Sequence, residues 1–95
     1  MKIWVVQFVP DNIATNYCQT EIYGVYNSYQ KAKEKAIYEI NEDVRCNNFV
    51  VNEYDYDNFK NHSNEQEKVS IDVFADREEN YSEYYTISII PMELQ

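Results

Sequence analysis

Three residues of this sequence could supply a nucleophile and its base: Cys18, Cys46 and His62. Nucleophilic catalysis needs a thiol or hydroxyl beside a base that a third group holds in position. His62 is the single histidine, and it stands in a run of Lys, Asn, Ser and Glu that predicts an exposed loop. The favoured interpretation is a solvated histidine and two half-buried free thiols. A Cys18–His62 or Cys46–His62 pair stays open as the alternative.

Metal and phosphate chemistry find little support in the residue spacing. Asp55 and Asp57 are spaced like the first ligands of a calcium loop, but Lys60 stands where glycine is needed and Gln66 where glutamate is needed. Two distant cysteines and one histidine fall short of a four-ligand zinc site. Gly24 is the only glycine, so a glycine-rich phosphate loop cannot form. We therefore predict no catalytic residues, no metal, no cofactor and no enzymatic activity.

Negative charge is concentrated in the second half of the chain. Up to Arg45, six acidic residues oppose five basic ones, a net of −1, whereas from Cys46 onward eleven oppose three, a net of −8. The two halves sum to the net charge of −9 of the 95-residue chain. Such a charge repels nucleic acid and anionic membranes and attracts a basic protein surface. The sequence therefore predicts a basic protein partner.

Ten tyrosines form the second unusual feature, and several adjoin acids, as in residues 53–57 and 78–85. A tyrosine ring gives a large, rigid contact area, and a neighbouring carboxylate can pair with arginine. Tyrosines in strand patterns are expected to be structural, namely Tyr23, Tyr26 and Tyr85. For the tyrosines in polar segments, a structural and a binding role stay equally open. The residues predicted to bind the partner are Glu53, Tyr54, Asp55, Tyr56, Asp57, Asp72, Asp76, Glu78, Glu79, Tyr81 and Glu83.

The elements that must position these residues follow from the hydrophobic pattern, which predicts a single α+β domain over residues 1–95. Strands are expected over residues 2–9, 20–26, 49–54, 68–75 and 84–90, with Pro10 and Pro91 each ending a strand. The first strand is apolar on both faces and should be central in its sheet. Residues 55–66 are too polar for a core and predict a loop, in which one helical turn stays open. Residues 76–83 predict an acidic turn.

One helix is predicted after Asn27 and Ser28, which can cap it. Apolar residues recur every three or four positions from Tyr29 to Val44, while lysines and glutamates take the opposite side. The order ββαβββ favours an antiparallel sheet of four to five strands with this helix packed on one face.

Residues 1–9 lack the features of a secretory leader, and no apolar run is long enough to span a bilayer, so a cytoplasmic location is expected. The short, acidic chain, rich in Tyr, Asn, Lys and Glu, resembles phage- or mobile-element-encoded inhibitors of bacterial defence, such as anti-CRISPR proteins and other DNA mimics. Residues 2–9 and 24–32 are also similar to small phage proteins in which a strand pair leads into a helix. The resemblance implies binding to a Cas-type or other nucleic-acid-handling effector in the host cytoplasm.

Carboxylates on a strand could compete with nucleic acid for such an effector. Two of them placed two residues apart lie roughly 6.5–7 Å from each other, the order of the phosphate spacing along a nucleic-acid strand. Two further binding functions fit the same composition. One is an immunity protein or antitoxin that caps a basic toxin, and the other is a self-associating accessory protein. Monomer and homodimer both stay open.

Overall fold

The computed structural model of the protein describes residues 1–11, 20–76 and 83–94. Within them the elements are β1 Lys2–Asp11, β2 Glu21–Tyr26, α1 Tyr29–Cys46, β3 Phe49–Val50, α2 Glu53–Asn61, β4 Val69–Ala75 and β5 Tyr84–Glu93. The five strands form one antiparallel sheet in the order β2-β1-β5-β4-β3. The predicted α+β class and antiparallel sheet are confirmed. The predicted order ββαβββ with a single helix is wrong, because α2 separates β3 from β4.

Helix α1 follows the predicted apolar stripe. Its N-cap is Ser28, whose hydroxyl oxygen accepts a hydrogen bond from the backbone N–H of Lys31 at 3.3 Å. The residues that it buries recur at steps of three and four, namely Tyr29, Ala32, Ala36 and Ile40. Two of these are alanines, so the helix can approach the sheet closely. Val44 is 42% exposed, and the buried stripe therefore ends before the helix does.

The core lies between α1 and one face of the sheet, which we call the inner face. Strand alternation selects its members, as the pattern of residues 68–75 and 84–90 predicted: Ile71 and Val73 are buried on β4, and Tyr85, Ile87 and Ile89 on β5. Helix α2 adds one fully buried side chain, Phe59. The strands between the two sheet edges thus share one core with both helices.

Pro10 and Pro91 were each predicted to end a strand. Both lie inside strands instead. Pro10 pairs with Tyr85 of β5, two residues beyond Phe8, where the pairs of β1 with β2 end among the described residues. Pro91 pairs with Trp4 of β1, beyond the point where β4 stops pairing with β5, at Ile89. Pro91 therefore lies where β5 has no partner on the β4 side, so its missing N–H need not break a ladder hydrogen bond.

The opposite, outer face of the sheet is apolar toward β2. Cross-strand pairs place Val25, Val5 and Ile90 in one row, and Ile3 and Met92 in the next. Val25 is 56% exposed and Met92 is 48% exposed. Strand β1 is an interior strand, as predicted. The inner face is packed by α1. On the outer face Val25 and Met92 are exposed, Ile3 and Ile90 are half-buried, and Val5 is buried.

Candidate interaction surface

Helix α2 takes the place of the end of the strand predicted over residues 49–54 and of the first part of the loop predicted over residues 55–66. Residues 62–66 are neither helix nor strand, as predicted. Asn52 caps α2, since its side-chain oxygen accepts a hydrogen bond from the backbone N–H of Asp55 at 3.0 Å. Glu53 and Asp55 lie in the first turn and Lys60 in the last, which suits the dipole of a helix. Only one of the nine side chains of α2, Phe59, is buried. The sequence of this segment therefore shows little of the hydrophobic periodicity that predicts a helix.

Tyr56 is an anchor of α2 instead of a free contact residue. Its ring packs against the core, and its hydroxyl donates a hydrogen bond to Oδ1 of Asn41 on α1 at 2.8 Å. The ammonium of Lys60 lies 4.5 Å from the ring centroid. The sequence left a structural and a binding role open for Tyr56. These contacts favour the structural role.

The end of α2 is fixed to the start of α1. The ammonium of Lys33 donates to the backbone carbonyls of Lys60 and His62, each at 2.8 Å, where a helix C-terminus favours a cation. The Tyr29 hydroxyl lies 2.9 Å from the His62 carbonyl oxygen and 3.0 Å from its Nδ1. His62 is half-buried, so the predicted exposed loop histidine is wrong. Burial, and then the charge of Glu65, raise the pKa of Tyr29.

A Cys46–His62 pair is excluded by this geometry. His62 contacts Tyr29, the first residue of α1, whereas Cys46 is the last residue of that 18-residue helix. About 25 Å of helix separates the two ends. Cys46 is free, as predicted, but it is exposed instead of half-buried. Cys18 lies outside the described residues.

A groove of about 400 Å³ runs between α2 and the edge of β4. Its walls are Asp55, Asn58, Phe59 and His62 on one side and Val69, Ser70, Ile71 and Asp72 on the other. The first set is spaced at steps of three, one and three residues, which selects one face of the helix. The second set is four consecutive strand residues, which alternate between the two faces, so the groove follows the strand's edge.

This α2–β4 groove exists because β3 is short. β3 pairs with β4 only at Phe74 and Ala75. From Val69 to Val73, the edge of β4 that faces away from β5 therefore has no strand partner among the described residues. Helix α2 lies along this edge. Asp55 and Asp72, predicted as partner-binding residues, are brought together at this groove although 17 positions separate them.

The other acids of α2 lie on its exposed sides. Glu53 and Asp57 are exposed, as is Tyr54 with 74% of its surface accessible. Asp57 lies 3.6 Å from the ammonium of Lys60 in an exposed ion pair. In a helix, residues four apart lie on the same side, so Glu53 and Asp57 are neighbours, whereas Asp55 lies on the nearly opposite side.

The remaining predicted contact residues lie at the far end of β4. Asp76 is exposed, and its backbone N–H donates to the Asn48 carbonyl at 2.7 Å. Glu83 is half-buried, and its carbonyl accepts from the Ala75 N–H at 2.9 Å. The other three members of the predicted set lie outside the described residues: Glu78, Glu79 and Tyr81.

Tyr85 is buried in the core, in the structural role that its strand pattern predicted. Its hydroxyl donates a hydrogen bond to Oδ2 of Asp43 on α1. Burial first, and then this hydrogen bond and the charge of Asp43, raise the pKa of Tyr85 far above its ordinary value. Burial and the nearby Glu39 and Asp43 also raise the pKa of Tyr23. Asp43 thus has a structural partner that the sequence pattern did not reveal.

Comparison of the chain with protein-family models, curated proteins and solved structures finds no match. Within the described ranges, neither helix is long and apolar enough to cross a membrane. In the same ranges, no three side chains of His, Cys, Asp or Glu are grouped so that they could hold a metal ion.

Two of the eight groove residues, Asp55 and Asp72, were predicted to bind the partner. The other six were not: Asn58, Phe59, His62, Val69, Ser70 and Ile71. The helical spacing of Asp55, Asn58, Phe59 and His62 is the signal that could have found the first three of these. The strand residues are identified only once α2 is known to lie beside them.

Proposed function

We propose that the chain is a non-enzymatic binding protein that blocks a basic, nucleic-acid-handling effector through an acidic surface centred on α2. The proposal extends to an origin in a phage or mobile element and to action in the host cytoplasm. Support for it comes from the charge of the second half of the chain and from the resemblance to inhibitors of bacterial defence.

The exposure of Tyr54 between two carboxylates carries the proposal. A ring that is 74% exposed adds almost nothing to the core, and it keeps apolar surface in contact with water. Glu53 and Asp55 flank it in the chain, and among the described residues neither carboxylate takes part in an ion pair. An exposed aromatic ring with unpaired carboxylates beside it is the composition that meets Arg- and Lys-rich surfaces.

Capture of the partner from the native host's lysate tests the proposal at low and at raised salt. We expect a basic protein to be captured at low salt and lost at high salt, because exposed charges are screened. The variant Glu53→Lys/Asp57→Lys should weaken capture by at least about tenfold, since two favourable charges become unfavourable. Circular dichroism should show an unchanged fold, because both side chains are exposed.

The matched control reverses two exposed acids of the nearly neutral first half, Glu21→Lys/Glu34→Lys. It changes the net charge by the same amount and should retain the partner. Equal loss in both variants would mean that net charge alone acts, and capture that resists salt would contradict the electrostatic proposal.

A second candidate function, self-association, is favoured by the outer face of the sheet. Val25, Ile22 and Met92 are each about half exposed there, at 56%, 53% and 48%. Exposed, contiguous apolar side chains are typical of surfaces that bind protein. This function predicts a mass that rises with protein concentration and does not fall with salt.

A further inference from the structure

The α2–β4 groove combines an apolar floor with an acidic rim. Phe59 and Ile71 form the floor and are 1% and 4% exposed. Asp55 and Asp72 are exposed at the rim, one on each wall. Apart from His62, none of the lining residues can carry a positive charge. A cleft of this kind suits a ligand with an apolar stem and a cationic end.

We propose that the α2–β4 groove binds an arginine side chain presented by the basic protein partner. The inference rests on the proposed function and names the contact through which that partner is recognised. The arginine's methylene stem lies on Phe59 and Ile71, and its guanidinium lies between the two carboxylates.

The two rim carboxylates favour arginine over lysine. Guanidinium has five N–H donors in a planar fork, which can bond to acceptors on two walls at once, whereas an ammonium is a compact point charge. Asp72 is held in place for this, because its Oδ1 accepts a hydrogen bond from the Thr86 hydroxyl at 2.6 Å. Its Oδ2 has no hydrogen-bond partner among the described residues. Asn58 and Ser70 add further oxygen acceptors to the walls.

The groove also has room for the residues that flank the arginine. It follows four consecutive residues of β4, a length of about 13 Å. A free cation would use only the rim, whereas an arginine within a protein segment also covers the apolar floor. A protein partner is therefore the occupant that both the charge and the shape of the groove favour.

A titration followed by ¹⁵N NMR tests the inference without the native partner. The probe is the capped tripeptide Gly-Arg-Gly, with Gly-Lys-Gly and Gly-citrulline-Gly as matched probes; citrulline keeps the shape of arginine and removes its charge. For the arginine peptide we expect saturable shifts confined to the amides of residues 55–62 and 69–72. The lysine peptide should bind more weakly, and the citrulline peptide should cause no shifts.

Single substitutions then locate the contact. Asp55→Asn and Asp72→Asn should each weaken binding of the arginine peptide about tenfold, because each removes one charge-assisted partner while it keeps the side chain's shape. Glu53→Gln is the control: it removes the same charge from the same helix, outside the groove, and should change the affinity by less than about twofold. Shifts spread over the whole molecule, or equal losses in all three variants, would overturn the proposal.

The inference and the proposed function fail in different ways. A salt-sensitive partner that is captured equally by the wild type and by Asp55→Asn/Asp72→Asn would refute the groove and leave the acidic surface standing. Absence of any salt-sensitive partner would refute the proposed function, while the tripeptide titration still decides on the groove.

Discussion

At the scale of single residues, the tyrosines of this protein fall into two kinds, those that pack in the core and those that are exposed to solvent. Tyr85 and Tyr23 lie against the sheet's inner face, and their environment stabilises the neutral phenol. Tyr54 stands in solvent on α2. Strand alternation predicted the first kind, because a residue's face follows from its position in the strand. It could not predict that Tyr56 would reach Asn41, since that contact depends on how α2 lies against α1.

The raised pKa of Tyr85 predicts a loss of stability in alkaline solution. Below about pH 10, its ordinary pKa, the phenol is neutral in both folded and unfolded chains, so the stabilisation is complete. Above that pH only the unfolded chain releases the proton, and the free energy of unfolding falls by about 1.4 kcal/mol per pH unit for each such group. Urea denaturation at pH 9, 10 and 11 should show this slope, to which Tyr23 adds.

The Tyr85→Phe variant separates the contribution of Tyr85 to the alkaline loss of stability from that of Tyr23. It should lose about 1–2 kcal/mol at neutral pH, because Asp43 loses its hydrogen-bond donor. Its alkaline slope should be shallower by about one group's share, 1.4 kcal/mol per pH unit. Tyr38→Phe, at a residue 57% exposed, is the control and should keep the wild-type slope. An unchanged slope in Tyr85→Phe would contradict the assignment.

At the scale of elements, α2 marks the limit of sequence reasoning. The long helix and the strands over residues 68–75 and 84–90 were predicted because periodicity over many residues outweighs local noise. α2 has nine residues, one of them fully buried, so its periodic signal is slight. Its start signal was present, however: Asn52 followed by acids in the first turn is typical of a helix N-terminus.

The α2–β4 groove could not be predicted even with α2 known. It depends on β3 ending at Val50, which leaves the edge of β4 open. Strand ends depend on tertiary contacts more than on local preference. The two carboxylates of the rim therefore meet through topology, and no spacing along the chain indicates their proximity.

The Asn52 cap is expected to stabilise α2. Asn52→Ala removes the oxygen that accepts from the Asp55 N–H, and the free energy of unfolding should fall by about 1 kcal/mol. Asn52→Asp keeps an oxygen in the same place and should retain most of the wild-type stability. Chemical denaturation measures both, and hydrogen exchange of the α2 amides localises the effect. The cap would be unimportant if the alanine and aspartate variants lost equal stability.

At the scale of the whole molecule, charge and apolar surface are separated. The carboxylate excess belongs to residues after Cys46, whereas exposed apolar side chains of the outer face, such as Val25 and Met92, lie on β2 and at the end of β5. Salt therefore acts on the two surfaces with opposite signs. We expect it to weaken the proposed binding of a basic partner to α2 and to reduce the repulsion between copies that each carry a net charge of −9.

Self-association through the outer face is accordingly expected to increase with salt. The Debye length falls from about 10 Å at 0.1 M to about 3 Å at 1 M, so sedimentation should show a larger mass at the higher concentration. Val25→Lys should abolish this increase, although it lowers the net negative charge, because a charge then stands in the apolar row. Gln30→Lys makes the same charge change on the exposed side of α1 and should associate like the wild type. A mass that stays that of a single chain at both salt concentrations, or an equal loss in both variants, would show that the outer face does not join copies of the chain.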